Sequence, residues 1–250
     1  MKFGGPELED LVEVDGRSVL VRADFNVPIR DGVITADLRI RAALPTLQWL
    51  RERGARVTAC THLGRPKGAP DPAYSVEPVR QRLAELAPGV ELLENLRFDP
   101  GETGNDAAFV DSLSEGHDLY VNDAFGASLR AHASIVGPPT RLPSAAGRLL
   151  AKEVEVLLGL REQPRRPFTA ITGGSKVSDK LGVLTALLDI ADDIVIGGGM
   201  CFTFFGAMGH TVGNSLYEDD QVENCARLLD EHGDRLHLPE DVVGLGPGGK

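Results

Sequence analysis

Short apolar runs alternate with helix-period stripes along nearly the whole chain, and this alternation restricts it to an α/β fold. Val19–Val21 and Arg56–Cys60 read as strands. Between them, residues 37–53 carry Ile40, Leu44, Leu47 and Leu50 on one helical stripe that stops at Gly54. Ser75–Leu86 reads as a helix with Ser75 as its N-cap, and Val90–Leu93 as a strand. A helix capped by Asn105 runs to Leu113, and Leu119–Val121 is the next strand. Residues 137–147, GPPTRLPSAAG, read as a connection rich in Pro, Gly and Ser. Leu149–Leu160 is then a helix. The alternation restarts with strand Phe168–Thr172, a glycine turn, a helix to Ile190, strand Asp193–Ile196, a helix after GGGM and a helix over Asp219–Glu231. Strands separated by helices pair in parallel under a helical cover. Two parallel-sheet domains are therefore expected, residues 1–147 and 163–250, joined by a hinge helix at 148–162. The second offers only about three strands, few for a parallel sheet that must be covered on both faces. It stops at a turn sequence, GLGPGGK, so an incomplete second domain and a fragment of a longer protein are expected.

Composition removes several function classes. With 37 acidic and 26 basic residues the net charge is −11, which argues against a nucleic-acid footprint and requires any anionic substrate to find a local basic pocket. Cys60, Cys201 and Cys225 are dispersed, with neither metal spacing nor a disulfide framework, which favours a reducing, cytoplasmic compartment. MKFGGPELED has no apolar signal-peptide region. The longest weakly polar run, Ile194–Gly209, is glycine-rich and shorter than the ~20 residues of a membrane span, so it reads as core.

Polar residues cluster where the first four strands end, the place where sheets of this class bind ligands. They are Arg22, Asp24 and Asn26; His62 and Arg65; Arg97; and Asn122, Asp123 and Arg130, with Arg39 opening the first helix. Arginine's planar fork suits phosphate and carboxylate. Asp24 and Asn26 could orient a ligand hydroxyl. Taken singly, each has a structural reading as a turn former or surface charge, and His117, His210, His232 and His237 are left there. In the second half, GGSKVSDK joins a strand to a helical pattern. Gly173 and Gly174 would let backbone approach phosphate, and Lys176 and Lys180, four residues apart, could share one helix face.

VLVRADFNVP, DLRIRAALPT, THLGRPKG, LLENLRF, YVNDAFG, RAHAS, GGSKVSDKLGVL and IGGGM stand in this order. The series resembles the phosphoglycerate kinase family over nearly the whole chain. The resemblance implies two Rossmann-like domains and reversible phosphoryl transfer between 1,3-bisphosphoglycerate and ADP, with Mg2+. It also implies a cytoplasmic monomer of glycolysis. It casts Asp24 and Asn26 as ligands of the glycerate moiety. His62, Arg65, Arg97 and Arg130 would hold the phosphate that is not transferred, and Arg39 and Lys176 would stabilise the migrating phosphoryl group. Gly173, Gly174, Lys176 and Lys180 would meet the nucleotide phosphates. Such a transfer needs positioning and positive charge rather than a catalytic base.

The chain departs from the family pattern in three places. A strand-and-helix stretch is missing between Leu86 and Leu92, Leu129 stands where a histidine is usual, and the later nucleotide motifs lie beyond Lys250. No metal ligand is therefore expected within the chain. A binding-only fragment that holds 3-phosphoglycerate without turnover is the competing reading. A third, a P-loop at Gly244–Lys250, is disfavoured because Pro247 removes an N–H from the cradle and no helix follows.

Overall fold

A computed structural model describes residues 4–11 and 13–244, and within it the chain divides into two units, Met1–Leu158 and Gly159–Lys250. In the first, β1 (Ser18–Arg22) leads to a hairpin of β2 (Ile29–Arg30) and β3 (Val33–Ile34), then α1 (Leu38–Glu52), β4 (Arg56–Cys60), α2 (Glu77–Leu86) and β5 (Glu91–Leu92). Next come α3 (Pro100–Gly104), α4 (Ala107–Ser114), β6 (Leu119–Asn122), α5 (Ala133–Val136) and β7 (Ser144–Ala146). α6 (Arg148–Glu162) carries the boundary between the units. The sheet order is β5-β4-β1-β6-β7, all parallel. The chain builds outward from β1 on one side and then crosses to its other side, so the ends of β1, β4 and β6 converge on one edge.

The central strand shows why its sequence is a run and not an alternation. Val19 and Val21 pack with Ile40, Leu47, Leu50, Val79 and Leu83 on one face. Leu20 packs with Cys60, Leu96, Leu113 and Tyr120 on the other. A parallel strand covered on both faces gains from apolar side chains at every position.

The second unit holds β8 (Thr169–Gly173), α7 (Leu181–Leu188), β9 (Asp193–Gly197), α8 (Cys201–Ala207), α9 (Val222–His232) and β10 (Leu236–His237), with parallel order β10-β9-β8. Ala170, Ile194, Ile196 and Leu236 share a core with Leu184, Leu188, Phe204 and Leu228. Met200 belongs to this core, as expected of the stretch after GGGM. The opposite sheet face is open, with Ile171 at 81% exposure. Among the described residues β8 pairs on one side only, leaving the unpaired edge that a small parallel sheet implies.

Four local expectations need correction. The connection at 137–147 contains β7, an edge strand whose small residues, Ser144, Ala145 and Ala146, give little apolar signal. Asn105 does not cap α4; it closes α3 in the left-handed conformation at φ 53°, and Asp106 Oδ1 accepts from the N–H groups of Ala108 and Phe109. α2 starts at Glu77, although Ser75 Oγ still accepts from Glu77 N–H at 3.3 Å. Lys176 and Lys180 do not share a helix face, because α7 begins only at Leu181, with Lys180 at its N-cap and Lys176 in the preceding loop. The possible P-loop, apart from Gly244, lies outside the described residues.

Asp123 and α6 are coupled at the end of β6. Asp123 Oδ1 accepts from Leu149 N–H at 2.9 Å and Leu150 N–H at 3.3 Å, satisfying donors at the start of α6. A Cβ at position 147 would lie 2.2 Å from that oxygen, which requires Gly147. Burial pushes the Asp123 carboxyl up to about 6, although hydrogen bonds from Thr46, Leu150 and Leu149 pull the other way. Between its ordinary value and about 6, the folded chain therefore keeps a proton that the unfolded chain has released. This contribution is present at low pH and is lost as pH rises through 6. Asp123→Asn should remove the loss, so the variant should gain about 3 kcal/mol on the natural chain between pH 4 and pH 7, read from urea midpoints.

Candidate functional site

The loop after β1 is an extended segment in which alternation sorts the side chains. Phe25 and Val27 point into the core, while Asp24 and Asn26 are half-buried on the other side. Phe25 N–H donates to Thr61 Oγ1 at 2.9 Å, and Gly64 N–H donates to Asn26 Oδ1 at 3.0 Å, so the loops after β1 and β4 are bound together. Asn95 fastens the loop after β5 to them: its Oδ1 accepts from Leu63 N–H and Arg97 N–H, and its amide donates to Leu63 O and Tyr74 O. Gly64 sits at φ +59°, and a Cβ there would lie 2.4 Å from the Tyr74 ring.

These loops frame a cavity of about 580 Å³ lined by Arg65, Lys67, Gly68, Arg97, Pro100, Thr103, Arg130 and His132. Among the described residues, none of Arg65, Lys67, Arg97 and Arg130 has an ion-pair partner. Arg97 donates from Nη1 to Gly64 O at 2.6 Å, and its buried Nε has no partner. Burial, followed by the charge of Arg22, lowers the Arg97 pKa. Unpaired guanidinium donors around a cavity in a protein of net charge −11 select for an anion.

Other residues of the expected cluster have different places. Arg39, half-exposed, pairs through Nη1 with Asp24 Oδ2 and does not line the cavity. Arg22 is fully buried; it donates from Nε to Ser134 Oγ at 2.9 Å and from Nη2 to His62 Nδ1 at 3.1 Å. It is a support beneath the site, not part of its surface. Asp123 is the α6 cap described above, and Asn122 bonds Ser128 Oγ and Ala124 N–H. His62 is buried, and desolvation, then Arg22, push its pKa down to about 3. It is neutral near pH 7 and cannot serve as a cation. Leu129, in place of the usual histidine, is 84% exposed. Lys67, Thr103 and His132 are further lining residues. Lys67 lies within the THLGRPKG stretch and His132 within RAHAS, whereas nothing in the sequence marks Thr103.

The loop in the second unit reads differently from its sequence. The first glycines serve the close approach of two strand ends. A Cβ on Gly173 would lie 3.1 Å from Gly197 O, and one on Gly198, at φ +68°, would lie 2.9 Å from Gly174 O. Two N–H groups of the loop beyond these glycines are already taken. Glu218 Oε2 accepts from Val177 N–H at 2.6 Å and Ser178 N–H at 3.1 Å, and Oε1 accepts from Ser178 Oγ at 2.6 Å. These bonds, led by that of the Ser178 hydroxyl and helped by the charge of Lys176, hold the Glu218 pKa down. Lys180 lies along Gly174, and Lys176 is exposed. Val177 and Ser178 therefore have no free backbone donor for an anion, and the Lys side chains supply the positive charge of this loop. Sequence reasoning missed Glu218 because a carboxylate forty residues downstream carries no local signal.

Fold and site together define an α/β protein built on two parallel sheets, with an arginine-lined anion cavity at the strand ends of the first. A family model described as "Phosphoglycerate kinase" matches residues 8–91 and 84–245. The phosphoglycerate kinase of Rubrobacter xylanophilus is 52% identical over 255 residues, covering 93% of this chain and 65% of that protein. The solved structure of phosphoglycerate kinase from Coxiella burnetii superposes with a TM-score of 0.79 at 35% identity, covering 93% of this chain and 65% of that one. The crystal structure of the enzyme from Pyrococcus horikoshii OT3 gives 0.81 at 30%, covering 93% and 67%. The chain belongs to the phosphoglycerate kinase family and has its Rossmann-like fold, and it spans about 65% of the length of its Rubrobacter relative.

Among the described residues no group of three or more His, Cys, Asp or Glu converges as a metal cage, and no helix is long and apolar enough to cross a membrane. Glu218→Gln keeps the shape of the side chain but removes its charge. The Val177 and Ser178 amides should then exchange with deuterium about tenfold faster, the equivalent of one charge-assisted hydrogen bond.

Proposed function

We propose that this chain carries the 3-phosphoglycerate-binding part of a phosphoglycerate kinase in residues 1–147, joined by the 148–162 helix to part of the nucleotide domain in 163–250. The reaction is reversible. A carboxylate oxygen of 3-phosphoglycerate attacks the terminal phosphorus of ATP, a new acyl O–P bond forms, and the bond to the departing ADP oxygen breaks. The observation that carries this reading is the cavity ringed by Arg65, Lys67, Arg97 and Arg130, four cations without ion-pair partners among the described residues.

In this reading Arg65, Arg97 and Arg130 bind the phosphate that stays on the glycerate. Neutral His62 contributes a hydrogen bond and no charge. Asp24 and Asn26 orient the glycerate. Arg39 leaves Asp24 to meet charge on the migrating phosphoryl group, which Lys176 meets from the nucleotide side. Lys180 takes nucleotide phosphate beside Gly173 and Gly174. Mg2+ arrives with ADP or ATP as part of the substrate. The protein acts as a cytoplasmic monomer.

A binding-only role is the second reading, suggested by the cavity cations of the first unit, which suffice to hold an anion without transferring a group. Titration calorimetry with 3-phosphoglycerate, beside a coupled assay in both directions, separates the two. Binding without turnover supports the second reading, and turnover overturns it. Arg97→Ala should weaken 3-phosphoglycerate about 10- to 100-fold, as for a lost charge-assisted hydrogen bond. In a chain extended to the length of its relatives, Arg39→Ala should lower kcat far more than it raises KM. An equal loss of both would remove its transition-state role.

A further inference from the structure

Beneath the cavity a buried chain of polar groups runs from a carboxylate to an imidazole. Glu102, on α3, is fully buried. Its Oε2 accepts from Ser134 N–H at 2.9 Å and its Oε1 from the Ser134 hydroxyl at 2.7 Å. Ser134 Oγ in turn accepts from Arg22 Nε at 2.9 Å, and Arg22 Nη2 reaches His62 Nδ1 at 3.1 Å. Tyr120 OH donates to Ser134 O at 2.6 Å and fixes that residue from β6. Every donor and acceptor in this path has one possible direction. Glu102 can only accept, so the serine hydroxyl donates to it and presents a lone pair to Arg22. Arginine can only donate, so His62 Nδ1 must be bare and its proton sits on Nε2.

The charges have the same logic. Among the described residues Arg22 bonds no carboxylate directly, and Arg97 and His132 stand close by. Glu102 is the buried anion whose charge Arg97 and His132 feel, with His132 Nδ1 at 3.8 Å from Oε1. Without it, Arg22 would be a desolvated cation below a cavity that already concentrates positive charge.

We propose that Glu102, acting through Ser134 and Arg22, is a positioning residue that holds His62 as the Nε2–H tautomer beside the anion cavity. His62 then offers a donor at every physiological pH while adding no charge to the cluster. The proposal rests on the 3-phosphoglycerate reading only for the identity of the anion.

Long-range 1H–15N spectroscopy of the His62 ring in the 250-residue chain tests it directly. The natural chain should show an unprotonated Nδ1 and a protonated Nε2 near pH 7. A protonated Nδ1, or an imidazolium, overturns the proposal. Glu102→Gln should mix the tautomers and weaken both 3-phosphoglycerate and inorganic phosphate about tenfold, with Glu102→Asp recovering part of each effect. An unchanged tautomer in folded Glu102→Gln also overturns it. Should that variant not fold, Ser134→Ala keeps the carboxylate and breaks the bridge, and it should mix the tautomers in the same way; an unchanged ring in that variant overturns the proposal. If the natural chain binds neither anion, the functional reading falls, while the tautomer measurement still decides the role of Glu102.

Discussion

The guanidinium of Arg22 is the constraint on which the first unit turns. It ends the central strand, it is wholly buried, and a buried charge is tolerated only when its donors are used. Satisfying it recruits Ser134 from α5 and His62 from the loop after β4, and through Ser134 the carboxylate of α3. Three segments distant in sequence are thereby brought to one point. Arg65, Lys67 and Arg97 sit above that point, on loops whose backbones are fixed by Asn26, Thr61 and Asn95. The site is thus a division of labour: buried groups set the frame, and Arg65, Arg97, Arg130 and Lys67 line the cavity.

The two units present positive charge by different means. In the first, guanidinium groups with unused donors line a cavity. In the second, the protein's own carboxylate, Glu218, holds the Val177 and Ser178 N–H groups of the loop after the glycine turn. The charge there is carried by two lysines, Lys180 along Gly174 and Lys176 exposed. A lysine ammonium is a compact point charge on a flexible stem, suited to following a group that moves, whereas arginine's fork suits one that stays.

Much of the fold was legible because burial writes itself into period. The run Val19–Val21 and the stripe of Ile40, Leu47 and Leu50 point to the same core from both sides. β7 was not legible, since Ser144–Ala146 is short, small-chained and at the sheet edge, where burial demands little. The site was legible as a set of positions after strands, and less so as a set of roles. Nothing local distinguishes Arg22, which is swallowed by the core, from Arg65, which is exposed. Only the third dimension shows that Ser134 and His62 lie within reach of the former. Glu102 and Glu218 escaped notice for the same reason: each acts across 32 or more residues of sequence.

The contact between Gly174 and Gly198 has a further consequence. A side chain at Gly198 would strike the backbone of Gly174, which cannot rotate out of the way as a side chain could. The constraint runs one way: Gly198 cannot accept a side chain while Gly174 stays where it is, whereas a Cβ at Gly174 would meet only the flexible Lys180 chain, at 3.6 Å. Even a methyl group at Gly198 would have to press the ends of β8 and β9 apart, so the spacing of those two strand ends is set from the β9 side.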